Sequence, residues 1–137
     1  MKKIHLTRGL DIPLKGAPEQ VIRPGPDINH VALLGDDYIG LKPTMLVKEG
    51  ETVKLGQPLF TDKKNLGVNF TSPGCGRVRK INRGPKRKFK SLVIAREGSE
   101  ETTFPGIKGR NIDDVPPEEI RTTLQESGLW CGFRTRP

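Results

Sequence analysis

Cys75, Cys131, His5 and His30 are the soft metal ligands of this 137-residue sequence. A zinc site closes several such ligands on one ion, with pairs set at Cys-x-x-Cys or His-x₃-His spacing. None of the four stands at such spacing, so no metal centre is expected. Nucleophilic and phosphate chemistry fare no better. The sequence has no Gly-x-Ser-x-Gly elbow, no Walker loop and no His-Glu-x-x-His pair. Gly74-Cys75-Gly76 lacks the third glycine of a dinucleotide loop, so Cys75 reads as a small turn residue and not as a nucleophile.

The charged residues say more. Lys and Arg number 24 against 16 Asp and Glu, a formal net charge of +8. Between positions 77 and 90 stand Arg77, Arg79, Lys80, Arg83, Lys86, Arg87, Lys88 and Lys90, with no acid among them. The excess is therefore one local patch and not a field spread over the chain. Three readings stay open for it: a solvated hairpin with Gly84-Pro85 at its tip, a contact with an acidic partner or an anionic membrane surface, or a nucleic-acid interface. Phe89 alone interleaves the cations, so a stacking platform for bases is missing and nucleic acid is the least expected of the three. The contact candidates are Arg79, Lys80, Arg83, Lys86, Arg87, Lys88 and Lys90.

These side chains need a scaffold, and the composition describes one. Hydrophobic residues make up 33% of the chain, with 16 Gly and 12 Pro. That balance favours short strands and many turns over a helical bundle. Apolar clusters at 31–34, 53–60 and 92–95 argue against full disorder. No apolar run approaches the ~20 residues that a membrane helix needs. The basic start Met1-Lys2-Lys3 is not followed by an apolar stretch of the secretory kind, so the chain reads as cytosolic with reduced cysteines.

Residues 1–28 read as an extended leader interrupted by Pro13, Pro18, Pro24 and Pro26, although Ile4, Leu6, Val21 and Ile22 offer pairing to a sheet edge. Residues 29–98 read as a dense β-domain. Strands are expected at 31–34, 45–48, 52–55, 59–62, 68–71, 77–82 and 92–96, with Gly or Pro in nearly every gap. Residues 99–137 read as a linker, a helix at 116–127 and the start of a following domain. Asp113 or Asp114 is the expected N-terminal cap, Glu118 and Glu119 favour the positive end of the dipole, and Ile120 and Leu124 share one face. Gly128 is the expected stop. The sequence ends abruptly on Arg134-Thr135-Arg136-Pro137, and a truncated chain is expected.

The most specific stretch is Val47-Lys48-Glu49-Gly50-Glu51-Thr52-Val53-Lys54-Leu55-Gly56-Gln57-Pro58-Leu59. Gly50 and Gly56 bracket a short strand, each where a tight turn needs positive φ. Thr71-Ser72-Pro73-Gly74-Cys75-Gly76-Arg77-Val78 supplies a second turn entering a strand. This ordered pair resembles the lipoyl/biotinyl-type barrel-sandwich hybrid over roughly residues 44–84. The resemblance implies a mainly β fold, and it places Asp62-Lys63 where a carrier domain bears its modified lysine. Here Lys64-Asn65-Leu66-Gly67 follows, which departs from the usual Asp-Lys-Ala hairpin, so Lys63 also reads as an ordinary solvated lysine.

A wider resemblance covers residues 3 to 137. Gly9-Leu10-Asp11-Ile12-Pro13-Leu14, Gly16-Ala17-Pro18-Glu19-Gln20, Val31-Ala32-Leu33-Leu34-Gly35, Lys42-Pro43-Thr44-Met45, Ser127-Gly128-Leu129-Trp130 and Arg134-Thr135-Arg136-Pro137 are similar to the A subunit of the Na⁺-translocating NADH:quinone oxidoreductases. That family implies a membrane-associated complex that passes electrons from NADH to ubiquinone and exports Na⁺. It uses NADH, flavins, an iron–sulfur centre and ubiquinone. The resemblance implies a peripheral subunit on the cytoplasmic face of the bacterial inner membrane, with the other subunits as partners, quinone as a neighbour and no cofactor of its own.

Two segments bear on cofactors. Leu124-Gln125-Glu126-Ser127-Gly128-Leu129 resembles the entry to the flavin site of the NADH-binding subunit of respiratory complex I, where a glycine run follows. Here Trp130-Cys131-Gly132-Phe133-Arg134 follows, and bulky rings would fill a phosphate cradle. Flavin and NADH are therefore not expected on this segment. Leu129, Trp130 and Phe133 beside Arg134 and Arg136 could instead give a quinone headgroup an apolar wall and a hydrogen-bond donor. The plainer account packs these rings on a neighbouring domain. Tyr38 and Leu41 are further quinone-contact candidates.

Overall fold

The structure is a computed structural model and describes residues 15–104 and 109–133. Among these residues seven strands carry the fold: β1 (His30–Leu34), β2 (Pro43–Met45), β3 (Thr52–Val53), β4 (Pro58–Asp62), β5 (Asn69–Thr71), β6 (Gly76–Arg83) and β7 (Phe89–Arg96). They form two antiparallel sheets. One has the order β1-β7-β6-β3 and the other β2-β4-β5. One helix, α1 (Pro117–Glu126), follows.

The strand pattern is not a plain alternation, and three β-bulges explain why. Leu59 and Phe60 are neighbours in sequence yet both fully buried. Alternation would turn one of them to solvent. The pairing steps from Pro58–Thr71 to Phe60–Phe70, so Leu59 is an extra residue in β4 and both side chains reach the core. On β6 the core-facing Val78 and Ile81 stand three apart. The pairing steps from Val78–Ile94 to Lys80–Val93, which makes Arg79 the extra residue. On β7 the buried Phe89 and Leu92 also stand three apart, and Lys90 is the extra residue there.

Val47, Val53, Leu59, Phe60, Val68, Phe70, Val78, Phe89, Leu92 and Ile94 form one core between the sheets. Three rings run through it. Phe60 stacks on Phe70 at 4.9 Å and meets Phe89 edge-on at 5.1 Å. Gly50 and Gly56 take φ +88° and +79°, as their turns require. Together these make the mainly β barrel-sandwich hybrid with one C-terminal helix that the motifs imply.

Some local expectations shift. Leu55 leaves β3 and makes a parallel bridge to Glu101. β2 ends at Met45, with Val47 buried in the turn beyond it. β7 begins at Phe89, three residues before the expected start, because the surrounding cations mask the apolar pattern. Val21 and Ile22 are exposed and join no strand. Ile4 and Leu6 lie outside the described residues.

Helix α1 lies one residue inside each end of the expected range. Its cap differs. Pro116 holds the cap position without a side-chain hydrogen bond. Proline disfavours helical geometry in the residue before it, so the Pro116-Pro117 pair delays the helix past both aspartates. Asp113 and Asp114 sit in a preceding 3₁₀ turn, Ile112–Asp114, which Asn111 caps by accepting from the Asp113 amide at 3.3 Å. Gly128 ends the segment in the left-handed region at φ +80°.

Candidate functional site

Three segments meet at one end of the β2-β4-β5 sheet: residues 35–42, the turn from β4 into β5, and the 3₁₀ turn Leu129–Gly132 after α1. Gly35 starts the first segment, packed so tightly on Phe89 that a Cβ would stand 2.4 Å from the Phe89 carbonyl oxygen. The chain then turns and lays the Tyr38 ring edge-on against Phe70, 4.8 Å between centroids.

The β4–β5 turn is organised by one buried carboxylate. Asp62 Oδ1 accepts the Lys42 amide at 3.1 Å and the Lys64 amide at 3.2 Å, while Oδ2 accepts from Asn65 Nδ2 at 2.6 Å. Burial pushes this carboxyl up. The hydrogen bonds from Lys42, Asn65 and Lys64 outweigh that push and hold it below its ordinary value. The Lys63 amide donates to the Lys42 carbonyl at 3.0 Å, and the residue itself is exposed on the turn.

The third segment is pinned by Gly128. Thr71 Oγ1 donates to the Ser127 carbonyl at 2.9 Å, and Cys131 Sγ donates to the Gly128 carbonyl at 3.0 Å. This brings Cys131 against the core and Phe133 to the surface beside Tyr38.

Between the segments lies a cleft of about 330 Å³, lined by Tyr38, Ile39, Leu41, Asp62, Asn65, Val68, Phe70, Cys131 and Phe133. Its walls are apolar and aromatic, with few polar groups, the usual character of a small-molecule site. Tyr38 brings the main O–H donor. Burial raises its pKa, and the proximity of Cys131 and Asp37 raises it further, so the phenol stays protonated at physiological pH.

The quinone-contact candidates are thus partly gathered. Tyr38, Leu41 and Phe133 share the cleft. Leu129 and Trp130 sit on the neighbouring turn without lining it, 62% and 37% exposed. Arg134 and Arg136 lie outside the described residues. Sequence reasoning missed Ile39, Asp62, Asn65, Val68, Phe70 and Cys131 as lining residues. Only the folded turn shows their convergence, since no spacing in the sequence announces it. Cys75 lies elsewhere, in a second cleft of about 430 Å³ with Val31, Leu55 and Arg96.

The basic candidates form the second feature. β6 and β7 make a hairpin that carries all seven of them. Lys88 and Lys90 pair with Asp36 at 2.5 and 3.2 Å, and these two lysines hold the aspartate below its ordinary pKa. Among the described residues, no carboxylate pairs with Arg79, Lys80, Arg83, Lys86 or Arg87. Phe89, the one aromatic residue of the stretch, is 4% exposed and cannot stack on a base. No helix among the described residues is long and apolar enough to cross a membrane.

The chain is 52% identical over 134 residues to the A subunit of the Na(+)-translocating NADH-quinone reductase of Photorhabdus laumondii. It is 50% identical to that of Pasteurella multocida and 48% identical to that of Yersinia pestis. Each match covers 98% of this chain and 30% of the relative, so the chain spans about a third of the length of these curated relatives. Residues 4–97 match the model of the NqrA N-terminal barrel-sandwich hybrid domain, and the chain belongs to that family.

Proposed function

We propose that the chain is the N-terminal part of a peripheral, quinone-associated scaffold subunit of a sodium-pumping NADH:ubiquinone oxidoreductase. In this reading the complex moves electrons from NADH to ubiquinone and exports Na⁺. The flavins and the iron–sulfur centre belong to partner subunits, and this part carries no redox group. It stands at the cytoplasmic face of the bacterial inner membrane. The observation that carries the reading is the match along nearly the whole chain to proteins named as the A subunit of that reductase.

The cleft supports the quinone part. Tyr38, Leu41 and Phe133 provide a ring wall, an aliphatic wall and one protonated phenol, which suits a flat, weakly polar headgroup with a carbonyl acceptor. Trp130, Leu129, Arg134 and Arg136 stand close by in sequence and complete the candidate set. The test uses the full-length subunit in its complex and a photoreactive ubiquinone analogue. Labelling of the segments around Tyr38 and Phe133, lost with excess ubiquinone, is expected. Labelling confined to other subunits sinks the quinone part. Failure of the full-length protein to co-purify with a membrane reductase sinks the reading as a whole.

A further inference from the structure

We propose that the outer face and tip of the β6–β7 hairpin bind an anionic phospholipid bilayer directly. This deepens the reading above by naming where the chain meets the membrane, and rests on it only for a bilayer being at hand.

The first observation is where the cations point. Val78, Ile81 and Phe89 all turn to the core, so no large apolar side chain is exposed between Arg77 and Lys90. The Arg79 bulge lets Val78 and Ile81 both face inward while Arg79 and Lys80, side by side, remain exposed. The outer surface of this stretch is therefore charged and polar. The seven candidate cations are exposed, and Glu49 is the neighbouring acid on β6, its Oε1 accepting the Ile81 amide at 2.7 Å. Protein interfaces set Arg beside apolar and aromatic anchors at their centres and deplete Lys there. This surface offers no such anchor. A headgroup layer asks for none, since it attracts clustered cations without shape matching.

The second observation is independent. Gly84 N–H donates to the Lys88 carbonyl at 2.7 Å, and Lys88 N–H donates to the Pro85 carbonyl at 3.1 Å. The two residues enclosed, Lys86 and Arg87, take φ +52° and +60°. This is the pattern of a type I′ turn, which prefers Asn-Gly because both central residues need positive φ. Lysine and arginine are strained there. The chain keeps two long cations at the tip where a pair better suited to the backbone would be more stable. Asp36 holds Lys88 and Lys90 at the base of the tip, and Arg79, Lys80, Arg83, Lys86 and Arg87 are left to face outward.

The conflict between backbone and charge makes the test decisive. The purified chain is floated with vesicles of phosphatidylglycerol and phosphatidylcholine, and with phosphatidylcholine alone, at low and physiological salt. Binding is expected on the anionic vesicles only, weakening with salt. Lys86→Asn with Arg87→Gly is expected to raise the unfolding temperature and yet lower vesicle binding by about fivefold per cation lost. Arg79→Gln with Lys80→Gln, on the strand face, lowers it similarly without the change in turn. Lys63→Gln with Lys64→Gln, on the β4–β5 turn of the other sheet, removes the same charge and leaves binding within about twofold. Free glycerol phosphate at millimolar concentration does not compete. Equal binding to neutral vesicles, unchanged binding in both hairpin variants, an equal loss in the Lys63/Lys64 variant, competition by glycerol phosphate, or tighter retention on DNA than on anionic vesicles would each overturn the proposal.

Discussion

Gly128 rests directly on Thr71, so closely that a Cβ on Gly128 would stand 2.6 Å from Thr71 Oγ1 and 3.2 Å from the Thr71 amide nitrogen. The same glycine takes φ +80°. Two constraints, one steric and one conformational, thus fall on one position, and together they seat the C-terminal segment on β5.

Gly128→Ala is expected to loosen that seat, at a cost of about 2 kcal/mol for the left-handed backbone and the close contact. Trp130 is the single tryptophan of the chain. Its emission is expected to shift to the red in the variant, and the Cys131 thiol to react faster with a thiol reagent. An unchanged spectrum and rate would show that the segment is seated by other contacts.

Asp62→Asn is expected to destabilise the β4–β5 turn by about 1–3 kcal/mol, because three donors converge on the carboxylate and an amide cannot accept them all. The pH dependence has a definite sign. The folded value lies below the ordinary 3.8, so the carboxylate's contribution is complete above 3.8 and is lost as pH falls through the lower folded value. Denaturant unfolding of the parent chain and the variant should therefore converge toward acid. Parallel curves across that range would contradict the role given to Asp62.

Tyr38 is the single tyrosine of the chain, so its phenol can be titrated without ambiguity. The midpoint by ultraviolet absorbance is expected above 10.0, since burial opposes the phenolate. A half-buried phenol of raised pKa gives stability that holds below 10.0 and falls as pH rises through the folded value. A midpoint at or under 10.0 would mean that the cleft is open to water at this ring. In the complete reductase, Tyr38→Phe is expected to raise the KM for ubiquinone several-fold, with the rate of NADH oxidation by an artificial acceptor unchanged.

Leu92→Ala tests the core. Leu92 is fully buried between the sheets, and its truncation is expected to cost about 2–5 kcal/mol. The slope of denaturant unfolding should stay constant if the β-domain unfolds as one unit. A loss well under that range would show that the sheets can close over the cavity.

The sheet was legible where glycine and proline mark turns. Gly50 and Gly56 stand in turns, the β6–β7 tip falls at Lys86-Arg87 and not at the expected Gly84-Pro85, and six of the seven strands begin within two residues of their expected starts. Phe89 was not legible as a strand start. A single ring among lysines and arginines carries no period, and only its burial against Phe60 in the folded chain shows that it faces inward. The cleft was half legible for a similar reason. Tyr38, Leu41 and Phe133 stand out by residue type, whereas Asp62 and Asn65 matter through a turn whose hydrogen bonds are invisible in one dimension. Asp62 stood beside Lys63 as a modification motif, yet its side chain works on the backbone of Lys42 and Lys64.

Arg79 and Lys90 share a property that reaches beyond their charge. Each is the supernumerary residue of its strand, matched by nothing across the ladder. Residues of that kind escape the ladder's constraint, because no core position and no cross-strand residue selects their chemistry, although Lys90 still answers to Asp36 through their ion pair. The hairpin thus has at Arg79 a site on which basic character can be exchanged while Val78, Ile81, Phe89 and Leu92 keep their places. Surface charge and interior packing can change independently here, within a single pair of strands.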